Sequence, residues 1–343
     1  MTTTAARQAF AWKVRQGALT WSRDPMPQPE PGSALVAVAY AGLCGSDIAK
    51  LATSPVQPPD HDWQPGHEIV GWHASGGSRR MVVVDPLIGC GDCGHCRARA
   101  VQLCPRLQRV GWDVPGGFAE FVALPQHSLL PLPPGAEPAH AVLADPLAVA
   151  IHGLRCAAQS PPPGQLCIVG SGTVAICTAA YASSLGWEVT LIARQPAKLA
   201  PLRGLLPARL ARPGAPCRDF DLVVDAAGGR DDASLSTALN LVRDGGTVVV
   251  QTAYDPGVRL NRDLRSVFRR SLTIAGAFSY CHRGGRGDFA MALDILAGRP
   301  GWADPLTGTR FALGDLPEAL ASVTGRRAHR PIKAVLTSEG PRL

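Results

Sequence analysis

No run of about 18 apolar residues, the length a membrane-spanning helix needs, occurs in this 343-residue chain. A transmembrane protein is therefore not expected. The opening residues, MTTTAARQAFAWKVRQGALTW, lack a basic head followed by an apolar core. They do not read as a secretory leader, and a cytoplasmic protein is expected. Also missing is any long basic block with interleaved aromatics, although the formal charge is +7. The excess is mostly scattered arginine, so nucleic acid is not an expected partner. A site for an anionic small molecule fits the charge at least as well. Charged residues make up only 18% against 46% hydrophobic, which excludes a disordered chain. There is no internal repeat, which excludes a solenoid. What remains is a globular chain long enough for two cores.

The pattern changes near residue 150. Before it, ALVAVAY (34–40), MVVVDP (81–86) and GFAEFVALP (117–125) read as short strands punctuated by glycine and proline. After it, apolar strands and helices alternate. ADPLAVAIHGLRCAAQ (144–159) reads as a helix stopped by SPPPG, and QLCIVG (165–170) as a strand. TVAICTAAYASSLG (173–186) reads as a helix and WEVTLIA (187–193) as a strand. FDLVVDAAGG (220–229), GGTVVVQT (245–252) and SLTIAGAF (271–278) add strands, with SLSTALNLVRD (234–244) helical between the first two. Uninterrupted apolar strands alternating with helices predict an α/β domain with a doubly wound parallel sheet, covered on both faces. A helix at 287–298 and a strand at 332–337 close the chain. The expected domains are a β-rich one over 1–150, the parallel-sheet one over 151–284, and a return to the first over 285–343.

IVGSGTVA (168–175) places Gly170, Gly172 and Ala175 in the G-x-G-x-x-G/A spacing, with Thr173 and Val174 between. The spacing alone is weak. Here it ends a strand and opens a helix inside a βαβ unit, the context a dinucleotide site demands. Gly170 permits the turn, Gly172 lets a pyrophosphate approach the backbone, and Ala175 lets helix and strand pack. The amides of the helix start then meet the phosphates. An acid that binds the ribose of NAD normally ends the second strand. Here the strand ends LIARQPAK, with Ala193 where the acid belongs and Arg194 next. Loss of the carboxylate removes repulsion, and a guanidinium offers a forked contact to a 2′-phosphate. NADP(H) is favoured over NAD(H), with Lys198 as a second cation.

Four of the ten cysteines fall in GCGDCGHCRARAVQLC (89–104). Disulfides have little place in a cytoplasmic protein, so Cys90, Cys93, Cys96 and Cys104 lean toward metal. Four thiolates suit tetrahedral zinc and leave no position for substrate, which makes the segment a structural lobe. An iron–sulfur cluster and disulfides are the other readings. A separate set offers mixed ligands: Cys44, Ser46 and Asp47 in GLCGSD, His67 and Glu68 in PGHEIVG, and Asp145 at a helix start in ADPLAVAIHG. Cysteine, histidine and a carboxylate, with a fourth position for water or an alcohol, is how a catalytic zinc is held. Cys156, Cys167, Cys177, Cys217 and Cys281 read as packing residues. His152 reads as a structural histidine, and Trp112 or Phe118 as a pocket wall.

CGSD, GHE, the four-cysteine lobe, GGFAEF, DPLAVAIHG and GSGTVA follow one another along nearly the whole chain. In that set the chain resembles the zinc-dependent medium-chain alcohol dehydrogenases, in the branch with sorbitol and threonine dehydrogenases. The resemblance implies a GroES-like β-barrel catalytic domain and a Rossmann domain, with the active site in the cleft between them. It implies a homo-oligomer, dimer or tetramer, often joined through Rossmann edge strands. It also implies two zinc ions per chain. Cys44, His67 and Asp145 would hold the catalytic one, with Glu68 binding transiently or standing just behind. Asp47 would orient His67, Ser46 would bond the substrate oxygen and pass its proton outward, and Lys333 would partner Glu68. The implied reaction is hydride transfer between an alcohol carbon and a nicotinamide. The carboxylate at position 145 resembles enzymes of polyols, sugars and cyclitols, among them aminocyclitol dehydrogenases of antibiotic biosynthesis.

One departure touches the chemistry. Many relatives have histidine two residues after the aspartate of CGSD, where it finishes the proton relay. Here that position is Ala49, which leaves the cofactor ribose, water or Lys50 as the exit. Ala49 is also the one feature that favours an NADPH-dependent reductase of a C=C or C=N bond. A non-catalytic NADP(H)-binding protein is the third reading, and retention of every metal ligand speaks against it.

Overall fold

The computed structural model describes residues 7–51, 62–75, 78–157, 162–214, 219–283, 286–325 and 330–338. The fold divides into two units, Met1–Asp145 with Leu293–Leu343, and Pro146–Ala292.

The first unit opens with an antiparallel ribbon, β1 (Gln8–Arg15) and β2 (Ala18–Pro25). Its two-residue turn is Gln16–Gly17, both at positive φ (49° and 78°), the geometry that matches strand twist. Nothing in a glutamine announces that conformation, and the ribbon was not read from the sequence. β3 (Ser33–Leu43) is the spine of the main sheet and leads through Cys44 into α1 (Gly45–Leu51). There follow β4 (Glu68–Ser75), β5 (Ser78–Val84), β6 (Leu87–Ile88), α2 (Gly94–Arg97), β7 (Gln108–Arg109), β8 (Phe121–Pro125) and β9 (Leu129–Pro131); α3 (Ala144–Cys156) begins in this unit and from Pro146 onward belongs to the second. The strand expected over 117–125 begins only at Phe121. A Cβ on Gly117 would meet Ile69 at 2.4 Å, and one on Gly116 the Gly66 carbonyl at 2.3 Å. Those glycines press against β4 and the loop before it instead of extending a strand.

The second unit contains β10 (Gln165–Val169), α4 (Thr173–Ser184), β11 (Glu188–Ile192), β12 (Ala208–Ala211), β13 (Phe220–Asp225), α5 (Ala233–Leu241), β14 (Val242–Val250), α6 (Leu264–Arg269), β15 (Thr273–Gly276) and α7 (Asp288–Ala297). Its six strands are all parallel, in the order β12-β11-β10-β13-β14-β15. Leu166, Cys167 and Ile168 of β10 are fully buried, as a central strand covered on both faces must be. The order reverses between β10 and β13, and ligands of such sheets bind beyond the strand ends at that point. The helix expected over 234–244 stops at Leu241. Val242 is extended and buried, and it pairs with Phe220 as the first residue of β14.

The chain then supplies α8 (Asp304–Thr307), β16 (Arg310–Ala312), α9 (Leu316–Thr324) and β17 (Ala334–Thr337) to the first unit. Its main sheet runs β16-β17-β3-β4-β5-β9, with β8 also on β3. Val36, Ile69, Val82, Phe118, Leu316 and Leu336 form the heart of its core. Among the described residues, no helix is long and apolar enough to cross a membrane.

Candidate active site

β3 and β4 are antiparallel neighbours, with Gly42 opposite Glu68. Cys44, just past β3, therefore lies near His67, just before β4. Ligand atoms of Cys44, His67 and Glu68 all lie within 4.8 Å of one another. Asp145, in the first turn of α3, brings Oδ2 to 3.8 Å from His67 Nε2. The tight group thus contains Glu68, with Asp145 at its side. Asp47 is fully buried behind it. Its Oδ1 lies 3.4 Å from His67 Nδ1, and its Oδ2 accepts from the Cys44 backbone N–H at 3.1 Å. One carboxylate fixes both the imidazole and the cysteine loop, leaving Nε2 free to face Asp145.

The charges are finely opposed. Burial disfavours a proton on His67, but Asp47 and Cys44 outweigh it and raise the pKa well above the ordinary value. Burial pushes Asp145 up to about 6; Glu68 and Asp85 add to the rise, while His67 and Lys333 oppose it. Lys333 Nζ is ion-paired with Glu68 Oε2, and both side chains are fully buried. Gly42 makes that pair possible, because a Cβ there would meet Glu68 Oε2 at 1.9 Å. The other oxygen, Glu68 Oε1, is buried without a hydrogen-bond partner among the described residues. An unpartnered carboxylate oxygen beside a thiol, an imidazole and a second carboxylate is a donor set that fits zinc.

The sulfurs of Cys90, Cys93, Cys96 and Cys104 form a second cluster, within 4.8 Å of one another, and none is in a disulfide. Cys90 Sγ and Cys96 Sγ are 3.9 Å apart. Ligands at about 2.3 Å from a tetrahedral zinc stand about 3.8 Å from each other. Sulfurs this close suit a single ion and leave no volume for a multi-iron cluster. Backbone N–H groups of Cys90 and Arg106 donate to Cys104 Sγ at 3.5 and 3.4 Å, and that of Cys96 to Cys93 Sγ at 3.4 Å. The Cys90 amide is the main cause that draws the Cys104 thiol down to about 7, toward the thiolate that metal requires.

In the second unit, Gly170 has φ 143°, and a Cβ there would meet the Ala226 carbonyl at 2.8 Å. Gly172 is the N-cap of α4, with no side chain capping the helix and nothing within 4 Å of a Cβ position. Thr173 and Val174 form the first turn, and Ala175 is fully buried beneath it. An uncapped start on a twelve-residue helix, with open space at Gly172, suits a phosphate. Ala193 is buried just past β11, Arg194 is exposed, and Lys198 is half-buried in the turn that follows. No carboxylate stands at the end of β11. Asp225, at the end of β13, was missed from the sequence: it is buried and accepts from the Tyr254 hydroxyl and from the Ala227 N–H at 3.2 Å.

Ser46 is exposed in the first turn of α1. Lys50 lies over the indoles of Trp112 and Trp63, 4.1 and 5.9 Å from the ring centroids. Burial lowers its pKa, and Asp47 resists the change. Trp112 lines a cavity of about 330 Å³ with Trp63, Lys13, Arg15 and Gln64, whereas Phe118 is wholly within the core. Cys167 and Cys177 are buried as expected of packing residues. Cys217 lies outside the described residues. Cys156 and Cys281 adjoin His152, which pairs with Asp288 at 3.2 Å.

Comparison with known proteins gives this architecture a family. The profile of the alcohol dehydrogenase GroES-like domain matches residues 30–134. D-Altritol 5-dehydrogenase of Agrobacterium fabrum is 32% identical over 288 residues, which is 78% of this chain and 82% of that protein. L-Galactonate-5-dehydrogenase of Escherichia coli is 29% identical over 67% of this chain and 72% of that protein. The solved structure of a thermostable alcohol dehydrogenase of Pyrobaculum aerophilum, with cobalt and zinc bound, superposes with a TM-score of 0.82 at 25% identity. It covers 97% of this chain and 100% of its own. The chain belongs to the zinc-dependent medium-chain alcohol dehydrogenase family. It is an oxidoreductase of that family, exchanging hydride between a secondary alcohol and a nicotinamide cofactor. Its two units are a GroES-like catalytic domain and a Rossmann domain.

Proposed function

We propose that this enzyme oxidises a secondary hydroxyl of a polyol, sugar acid or cyclitol to the ketone, with NADP⁺ as the preferred hydride acceptor. The observation that carries the reading is the Cys44–His67–Glu68 cluster with Asp145 beside it. These four residues would hold a catalytic zinc, and Cys90, Cys93, Cys96 and Cys104 a structural one. When bound, the catalytic ion supplies Lewis acidity toward the alcohol oxygen. The chain's own residues do the rest. Asp47 holds Nδ1 of His67, so that Nε2 is the free ligand. Lys333 holds one oxygen of Glu68 and leaves the other available. Ser46, exposed beside the cluster, accepts the substrate proton and passes it outward. With alanine at 49 and Lys50 drawn onto two indoles, the onward acceptor is water or the cofactor ribose. Gly170, Gly172 and the first turn of α4 receive the pyrophosphate, and Arg194 with Lys198 receives the 2′-phosphate.

Relatives named for altritol and galactonate support an open-chain polyol or sugar acid. An aminocyclitol of antibiotic biosynthesis belongs to the same chemical class. The enzyme is cytoplasmic and homo-oligomeric, dimer or tetramer. β15 is an edge strand, and Leu264, Phe268 and Phe278 beside it are 77%, 82% and 57% exposed, which supports pairing of two sheets at that edge. The test is nicotinamide reduction at 340 nm by zinc-replete protein, NADP⁺ and NAD⁺ in parallel, against polyols, sugar acids, cyclitols, aminocyclitols and simple secondary alcohols. Turnover of a polyhydroxylated substrate with NADP⁺ is expected. Turnover of simple aliphatic alcohols alone contradicts the substrate class.

A further inference from the structure

The Rossmann unit holds a third polar cluster that the dehydrogenase chemistry leaves unused. His152 and Cys156 lie one turn apart on the same face of α3. Cys156 Sγ is 3.7 Å from His152 Nε2. The other ring nitrogen, Nδ1, is 3.2 Å from Asp288 Oδ2. Asp288 is fully buried in the first turn of α7. The Arg155 guanidinium donates to its Oδ1, and the Cys281 backbone N–H donates to its Oδ2 at 2.9 Å. Arg155 is itself fixed on the Arg283 carbonyl at 3.2 Å. Thiol, imidazole and carboxylate therefore stand in a line, with the carboxylate anchored. His152 and Cys281 are buried, whereas Cys156 is only half-buried, so Cys156 is the member of the three nearest to solvent.

We propose that Cys156 is a nucleophilic thiol, paired with His152 and aligned through it by Asp288, and that it is a modification site for soft electrophiles, hydroperoxides above all. A base held by a third group beside a nucleophile is the arrangement that activates cysteine. Charge balance points the same way. His152 faces Asp288, Cys156 and Cys281; Asp288 faces His152 and Arg155; Tyr181 lies near Arg155 and Asp288. With His152 protonated, two cations share one carboxylate, and the excess positive charge favours the negative charge that develops on an attacking Cys156 sulfur. Burial opposes that imidazolium, but Asp288 and Cys156 outweigh it and carry His152 up to about 10.

In the reaction, the Cys156 proton resides on His152 and the sulfur attacks a peroxide oxygen. The S–O bond forms as the O–O bond breaks; sulfur is oxidised to the sulfenic acid and the peroxide is reduced. The departing hydroxide takes the imidazolium proton and leaves as water.

Zinc-replete, full-length protein is treated with iodoacetamide at neutral pH, and alkylation of the Cys156 peptide is followed by mass spectrometry beside free glutathione under the same conditions. Cys156 is expected to react roughly tenfold faster than glutathione. The variant His152→Gln is expected to lose that advantage and react roughly tenfold more slowly than the wild type. Hydrogen peroxide followed by dimedone is expected to label Cys156 in the wild type. A wild-type Cys156 that reacts no faster than glutathione, or one that stays unmodified in the native protein, overturns the proposal. The wild-type rate decides the matter even if His152→Gln fails to fold.

Discussion

At the residue scale, the site depends on pairs as much as on ligands. Lys333 is a buried cation whose visible role is to neutralise buried Glu68. The variant Lys333→Met removes that balance and leaves a carboxylate uncompensated, a loss on the order of 3–5 kcal/mol. Urea unfolding checks it; an unchanged midpoint would mean that Glu68 does not depend on Lys333 for its balance. Arg194 makes a different claim. The charge reversal Arg194→Glu is expected to raise KM for NADP⁺ by tenfold or more, about 1.4 kcal/mol of binding. KM for NAD⁺ should change far less. Equal effects on both cofactors would show that Arg194 does not meet the 2′-phosphate. The donors of the site were legible because each sits in a short motif with its own chemistry. Gly42 was not. Its importance is the absence of a Cβ where strand register brings Glu68 and Lys333 together, and no local pattern encodes a clash with residues 26 and 291 positions away.

At the element scale, the parallel sheet was legible because its strands are apolar throughout and its helices carry clear stops. The β1–β2 ribbon was not, because its turn uses glutamine at positive φ. The end of α5 was misplaced because a buried Val242 prefers the sheet to another helical turn. The four-cysteine lobe has very little regular structure of its own: one four-residue helix and a single 3₁₀ turn. On the proposed reading a bound ion would set its shape. Cys93→Ser is expected to cost the chain one zinc and lower Tm by several degrees while the Cys44 site keeps its metal. Metal analysis beside calorimetry reads this. Loss of both metals together would mean that the lobe is not an independent structural site.

At the scale of the whole molecule, the first and last segments of the chain form one sheet, joined where β17 pairs with β3. Pairings between residues so far apart were beyond sequence reading, although both strands were recognised. Among the described residues, nothing covers the exposed apolar side chains near β15. The double variant Phe268→Glu, Phe278→Glu is expected to yield monomers in sedimentation velocity, with the fold intact by circular dichroism. An unchanged oligomer would place the interface elsewhere.

The most direct test of the central claim counts zinc per chain and measures polyol-dependent NADP⁺ reduction in the wild type and in Cys44→Ser. Two ions and turnover in the wild type, with one ion and no turnover in the variant, are predicted. Full turnover by Cys44→Ser, or by wild-type protein holding only the structural ion, would contradict a zinc-dependent dehydrogenase built on Cys44, His67 and the carboxylates beside them.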